Sequence, residues 1–278
     1  MNAGDCMNAG GRINAGGCMK KLEWVPCRTW ARVGLIFTVL LMPGCVTETT
    51  GGLPQPAEDS VRVKAQLDLA RAYLENRYFE RARAPLSRAL AIDSTSVEAH
   101  VLLAVLNEAE DDLVSAEEHY KLALRYDADD PQALNNYGSF LYGQERYEES
   151  VVVLRKVVLD PNYRVRSQGY ENLGLAELKI GELERAKAAF VRSLRLNFNQ
   201  ARSSLELADI AYTEGEFAKA QDFYDSFRTQ ARQTPRTLCL GMKLAQTNNN
   251  TDELASYALA LNNLFPESAE AKTCEVPK

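Results

Sequence analysis

The 278-residue chain predicts an all-α fold, a right-handed superhelical solenoid of six helix-turn-helix repeats. Three observations carry this. "AYLENRYFERARAPLSRAL" and "LGLAELKIGELERAKAAFVRSL" share one frame, which recurs about every 34 residues. The second helix of each unit pairs a small residue with a bulky one four positions later, so both lie on one packing stripe. Asp- and Pro-rich breaks such as "DADDP" separate the units.

The chain does not start with a repeat. Residues 1–18, "MNAGDCMNAGGRINAGGC", repeat a short Asn-Ala-Gly unit without an apolar period and read as low-complexity upstream sequence, with the translation start at Met19. Lys20, Lys21, Arg28 and Arg32 then precede the apolar run "VGLIFTVLLM", the charged and hydrophobic regions of a signal peptide ending at residue 44. The run has about half the ~20 residues that a spanning helix needs. It ends in "LMPGC", which resembles a bacterial lipobox and implies cleavage before Cys45 and acylation of its thiol. Met42 stands where Leu is commoner, and Pro43 follows it. Val46 in place of Asp implies sorting to the outer membrane. Residues 45–60, Cys45 and "VTETTGGLPQPAEDS", read as a lipidated cysteine and flexible tether reaching at most about 50 Å.

Residues 61–278 form the repeat domain, with units beginning at Val63, Val97, Pro131, Ser167, Ala201 and Pro235 and a two-residue insertion in the third. A 34-residue period is that of tetratricopeptide repeats. Position eight, which lets the two helices of a repeat approach, is Ala70, Ala104, Gly138, Gly174, Ala208 and Met242. Position twenty is Ala82, Ala116, Ser150, Ala186, Ala220 and Leu254; position twenty-four is Leu86, Tyr120, Leu154, Phe190, Tyr224 and Ala258. The sixth repeat fits poorly, as terminal capping repeats do.

Charge narrows the function. Residues 1–44 hold five basic and two acidic residues, a net of +3, so with −6 on the whole chain the remainder carries −9. Such a surface repels nucleic acid and anionic headgroups. The two histidines, His100 and His119, lie nineteen residues apart, and His100 occupies a core position and reads as packing rather than ligation. The chain has no CxxC, HExxH, GxSxG or phosphate-binding glycine loop. Carboxylate pairs such as Asp111/Asp112 sit at helix starts, where they complement the helix dipole. No enzyme, cofactor, metal or small-molecule substrate is expected.

Tetratricopeptide solenoids bind partners along the concave face lined by the first helix of each repeat, at positions two, five, nine, twelve and thirteen. Carried onto this chain, these positions place Leu67, Arg71 and Leu74 in the first repeat and Val101 and Val105 in the second on the groove. Leu67, Leu74, Val101 and Val105 then form an apolar stripe, either a docking surface for a hydrophobic partner segment or a face closed over the tether or over neighbouring helices. In "ALNNYGSFLYGQERYEES", Tyr137 and Leu141 are core and Tyr147 packs the turn. Tyr142, at position twelve, remains as a groove contact.

After removal of the leader, Cys239 and Cys274 remain beside Cys45, an even pair in an oxidising compartment. They read as a disulfide clamping the C-terminal cap, or as two buried thiols.

The blocks "LNNYGSFLYGQERYEES", "ENLGLAELKIGELERAKAAFVRSLRLNFNQ" and "ELADIAYTEGEFAKAQDFYDSF", with the lipobox, resemble the PilF/PilW family of type IV pilus biogenesis lipoproteins from about Cys45 to Pro266. The resemblance implies a pilotin: an outer-membrane lipoprotein, periplasm-facing and anchored through Cys45, whose solenoid binds type IV pilus secretin subunits near the N-terminal repeats and promotes their localisation and multimerisation. The alternative is an adaptor of the same build for a periplasmic protease or peptidoglycan enzyme.

Overall fold

Each repeat of the frame folds as two helices joined by a tight turn. In the computed structural model, which describes residues 56–274, they are α1 (Pro56–Glu75) with α2 (Phe79–Ile92), α3 (Val97–Ala109) with α4 (Leu113–Tyr126), and α5 (Pro131–Gly143) with α6 (Tyr147–Val157). Then come α7 (Arg166–Lys179) with α8 (Leu183–Leu196), α9 (Ala201–Thr213) with α10 (Phe217–Gln230), and α11 (Pro235–Thr247) with α12 (Thr251–Leu264). A last short helix, α13 (Ala269–Thr273), follows. There is no strand among the described residues. The upstream segment, the leader, Cys45 and the first ten residues of the tether lie outside them.

Helices α3, α5, α9 and α11 start on the first residue of their repeats, and α7 starts one residue early. The two-residue insertion in the third repeat falls between α6 and α7, where it lengthens one loop. One boundary differs from the sequence reading. Helix α1 begins at Pro56, inside the stretch read as tether, because "PAEDS" supplies a proline in the first turn and then Glu58 and Asp59, which favour a helix N-terminus.

The breaks act through specific caps. Asp130 of "DADDP" accepts a hydrogen bond from the Ala133 amide at 2.7 Å, while Pro131 opens α5 without an amide to satisfy. Ser96, Asp112 and Asn250 cap α3, α4 and α12 in the same way. The turn inside each repeat has its own signature at position fifteen. Arg77, Asp111, Glu145, Gly181, Gly215 and Asn249 all take positive φ, between 52° and 82°. Only two of the six are glycine, although the left-handed region disfavours other residues.

Packing follows the small-then-bulky stripe. A methyl group on Gly138 would stand 2.5 Å from Leu154 Cγ, and one on Gly174 would stand 2.7 Å from the Phe190 ring, so these glycines let the paired helices close on one another. Repeat six departs from the frame. Met242 is half-buried at position eight, and Gly241 is the buried residue, held between Tyr224 and Tyr257. The cap thus shifts the close approach by one residue and uses Tyr257 where the frame has Ala258. Five apolar clusters run along the stack and share bordering residues such as Leu124, Tyr142 and Phe223. First helices of successive repeats also touch at α1–α3, α3–α5, α5–α7 and α9–α11. These contacts bring the first helices together on the inner side of the curve.

Candidate functional site

The predicted apolar stripe of repeats one and two does not line an open groove. Leu67 is 4% exposed and sits in a cluster with Ala82, Leu86, Leu102 and Leu103. Val101 is 1% exposed and packs with Tyr120, Tyr137 and Phe140. The cause lies in the stacking: position five points into the joint between successive first helices, and Asn135, Leu205 and Cys239 at the same position are buried too. Leu74 and Val105 are half-buried against these clusters. Arg71 remains at the surface, paired with Asp68 at 3.1 Å and with Glu98, so it ties α1 to α3. Leu67 and Val101 are therefore structural, and the surface they were to form is absent from the first two repeats.

The concave face opens further along. Tyr142, half-buried and edge-to-face with Tyr147 at 5.3 Å between ring centres, lines a cavity of about 410 Å³ with Leu175, Leu178, Arg202 and Arg236. A second cavity of about 320 Å³ shares Leu178 and Arg236 and adds Ile210. A third, about 610 Å³, lies between Tyr212, Phe217, Arg236 and Lys243 and is also lined by Glu270 of α13. Arg236 borders all three, so they form one trough along repeats three to six. Its apolar wall is Tyr142, Leu178 and Tyr212, the position-twelve residues of three successive repeats.

Electrostatics fix the middle of the trough. Glu206 is 5% exposed, and Arg236 donates to its two carboxylate oxygens at 2.9 and 2.8 Å while also pairing with Asp209. The Glu206 hydrogen bonds, strongest of several effects, raise the Arg236 guanidinium above its ordinary value. The pair is charge-assisted and bidentate, the geometry that orients a guanidinium most firmly. Arg202 and Lys243 carry no ion pair among the described residues, which leaves two free cations on a trough with apolar walls.

The end of the trough is built by a covalent bond. Cys239 on its wall is bridged to Cys274, with Cα atoms 5.8 Å apart, so the residue following α13 is held against α11. His100 is buried, as its core position suggests, and packs on His119: His100 Nδ1 lies 3.1 Å from His119 Nδ1, and His100 Nε2 lies 3.3 Å from the Ser94 carbonyl oxygen. Because that carbonyl can only accept, Nε2 carries the His100 proton, and His119 donates through Nδ1. Among the described residues no group of three or more His, Cys, Asp or Glu could hold a metal ion. No helix among them is long and apolar enough to cross a membrane. The trough can bind a chain segment through side-chain contacts.

The sequence reading placed Tyr142 on the groove, where the structure has it, but missed Leu175, Leu178, Arg202, Tyr212, Arg236 and Lys243. A signal was present: an aromatic or leucine at position twelve in repeats three to five. It was hidden because apolar residues at position five in the first two repeats looked more exposed than stacking allows.

The tetratricopeptide repeat family model matches residues 67–131, 115–163 and 172–235. The type IV pilus assembly protein PilF of Pseudomonas aeruginosa is 39% identical over 251 residues, which span 89% of this chain and 99% of that protein. A solved structure of P. aeruginosa PilF superposes with a TM-score of 0.76 at 41% identity, covering 77% of this chain and 96% of its own. The crystal structure of PilW, a widely conserved type IV pilus biogenesis factor, gives 0.66 at 26% identity, with 76% and 96% covered. With six helix pairs in the tetratricopeptide frame and this identity over nearly the whole of PilF, the chain is a tetratricopeptide-repeat protein of the PilF/PilW family.

Proposed function

We propose that this protein is a pilotin of type IV pilus biogenesis, anchored in the outer membrane by a lipid on Cys45 and binding secretin subunits through its solenoid. The observation that carries this reading is the 39% identity over 99% of a type IV pilus assembly protein. Cys45, acylated once the leader "VGLIFTVLLMPG" is removed, supplies the anchor, and the trough of repeats three to six supplies a surface for an extended or helical secretin segment. Binding there promotes secretin localisation and multimerisation without any chemical step.

Two variants test it. Cys45→Ala releases a folded protein from the outer-membrane fraction; continued sedimentation with that fraction argues against lipidation. Tyr142→Ser combined with Arg202→Glu preserves the helical spectrum and lowers the secretin multimer on a semi-native gel several-fold. Normal multimer in that double variant rejects the trough as the secretin site.

A further inference from the structure

The net charge of −6 leads to the expectation that the surface repels anionic headgroups, but the charge is uneven, and residues 155–202 hold ten Lys and Arg against five Asp and Glu. Three of these cations are used up internally, since Arg155, Arg185 and Lys187 pair with Glu177, Glu182 and Glu214. Lys156, Arg164, Arg192 and Arg195 make no ion pair or side-chain hydrogen bond among the described residues. They gather where α6 and α8 end, and both helices run in the same direction in the stack, so these ends lie on one edge of the solenoid.

The same edge exposes apolar side chains. Leu159 is 78% exposed and Phe198 74%, and Leu196 stands between Arg195 and Phe198. A chain burying its apolar groups has no internal use for a phenylalanine held in water. Phe198 is not there because its loop is loose. The Asn197 amide donates to the Ser193 carbonyl at 3.0 Å, the Asn199 amide to Asn197 Oδ1 at 3.0 Å, and Gln230 Nε2 to the Phe198 carbonyl at 3.2 Å. The backbone is tied down while the ring points out. The two loops also adjoin: Gln200 Nε2 donates to Ser167 Oγ at 3.0 Å, and Ser193 Oγ donates to the Ser167 carbonyl at 2.8 Å, which sets the 197–200 loop beside the start of α7.

From this juxtaposition we infer that the α6–α7 and α8–α9 edge is a docking surface for an anionic lipid bilayer, with Lys156, Arg164, Arg192 and Arg195 on the headgroups and Leu159, Leu196 and Phe198 entering the interface. Unpaired cations interleaved with exposed aliphatic and aromatic side chains match such a surface in both charge and polarity. The loop of the preceding repeat is the opposite, with Asp127, Asp129 and Asp130, so the positive face starts at repeat three. The first helix of every repeat begins on this edge, and α1 is one of them. The inference goes beyond the pilotin reading and stands without it, since it requires neither secretin nor the lipid on Cys45.

Flotation of residues 52–278, the compact unit that contains all the clusters above, tests it with vesicles and no secretin present. The unit floats with phosphatidylglycerol–phosphatidylethanolamine vesicles, less so as salt is raised, and stays behind with phosphatidylcholine vesicles. Arg192→Glu with Arg195→Glu weakens partition at least about tenfold, and Leu159→Ser with Phe198→Ser weakens it several-fold. Circular dichroism shows both variants folded, because every altered side chain is exposed. No flotation of the unaltered unit, equal flotation on phosphatidylcholine, or unchanged partition of both variants overturns the inference. Absence of flotation together with secretin capture that the arginine variant abolishes also overturns it and assigns the edge to a protein instead. Failure of the trough variant to lower secretin multimers touches only the pilotin reading.

Discussion

Arg236 on α11 grips the buried carboxylate of Glu206 on α9 at two points, 2.9 and 2.8 Å, and so ties the fifth repeat to the sixth in the centre of the trough. Breaking such a pair from one side leaves a carboxylate with little access to water. Arg236→Met lowers stability by about 2 kcal/mol, because one buried charge loses its partner. Adding Glu206→Gln restores most of it. Urea unfolding followed by circular dichroism checks this, and an unchanged midpoint in Arg236→Met contradicts it.

The turn inside each repeat offers a gain. Glu145 sits at φ 60° in the position where Gly181 and Gly215 stand in later repeats. The left-handed conformation costs a side-chain-bearing residue about 1–2 kcal/mol, and the extra freedom of glycine in the unfolded chain offsets part of that. Glu145→Gly raises stability by about 0.5–1 kcal/mol, whereas Gly215→Ala lowers it by about 1 kcal/mol. Opposite signs in thermal melts would show that the turn is not strained.

Cleavage of the Cys239–Cys274 bridge, which closes 35 residues, removes the covalent hold on α13. Loop-closure entropy puts the loss at up to about 4 kcal/mol. Reductant lowers the melting temperature and frees the α13 side of the cavity that Glu270 lines. Thiol labelling of the denatured protein rises by two groups after reduction; equal labelling with and without reductant excludes the bridge.

Acid weakens a cluster between the second and third repeats. Burial acts to raise the Glu117 carboxyl, but hydrogen bonds from Lys121, Arg146 and Tyr137 outweigh it and hold it at about 2, below the ordinary 4.5. The folded state thus favours the ionised form. Its contribution is complete above the ordinary carboxylate value and drains away as pH falls from 4.5 toward about 2. Glu117→Gln costs about 1 kcal/mol near neutral pH, a modest figure because the group is partly solvated. The gap between variant and parent closes across that acid window in urea titrations. A gap that is constant with pH would rule the cluster out as its source.

Much of the fold was legible along the chain. The frame that put Gly138 beside Leu154 and Gly174 beside Phe190 needed only the spacing of small and bulky residues, since the two helices of a repeat are joined by a short turn and must meet. Repeat six was less legible. Its close approach runs through Gly241 and Tyr257, one residue off the frame, where α11 and α12 pack against the short α13 rather than against a full helix pair.

The amino-acid sequence by itself determined the period, the helix pairs, their caps and the family, all of which depend on residues near one another along the chain. Tertiary structure alone decided which apolar residues are available to a partner. Leu67 and Val101 share a helical face with groove positions, yet they vanish into the joints between repeats. Tyr142, Leu178 and Tyr212 stay open to the trough, and Phe198 remains in water. The difference is how closely the next repeat packs over each position, and that distance comes from the stacking of whole helices rather than from any local pattern.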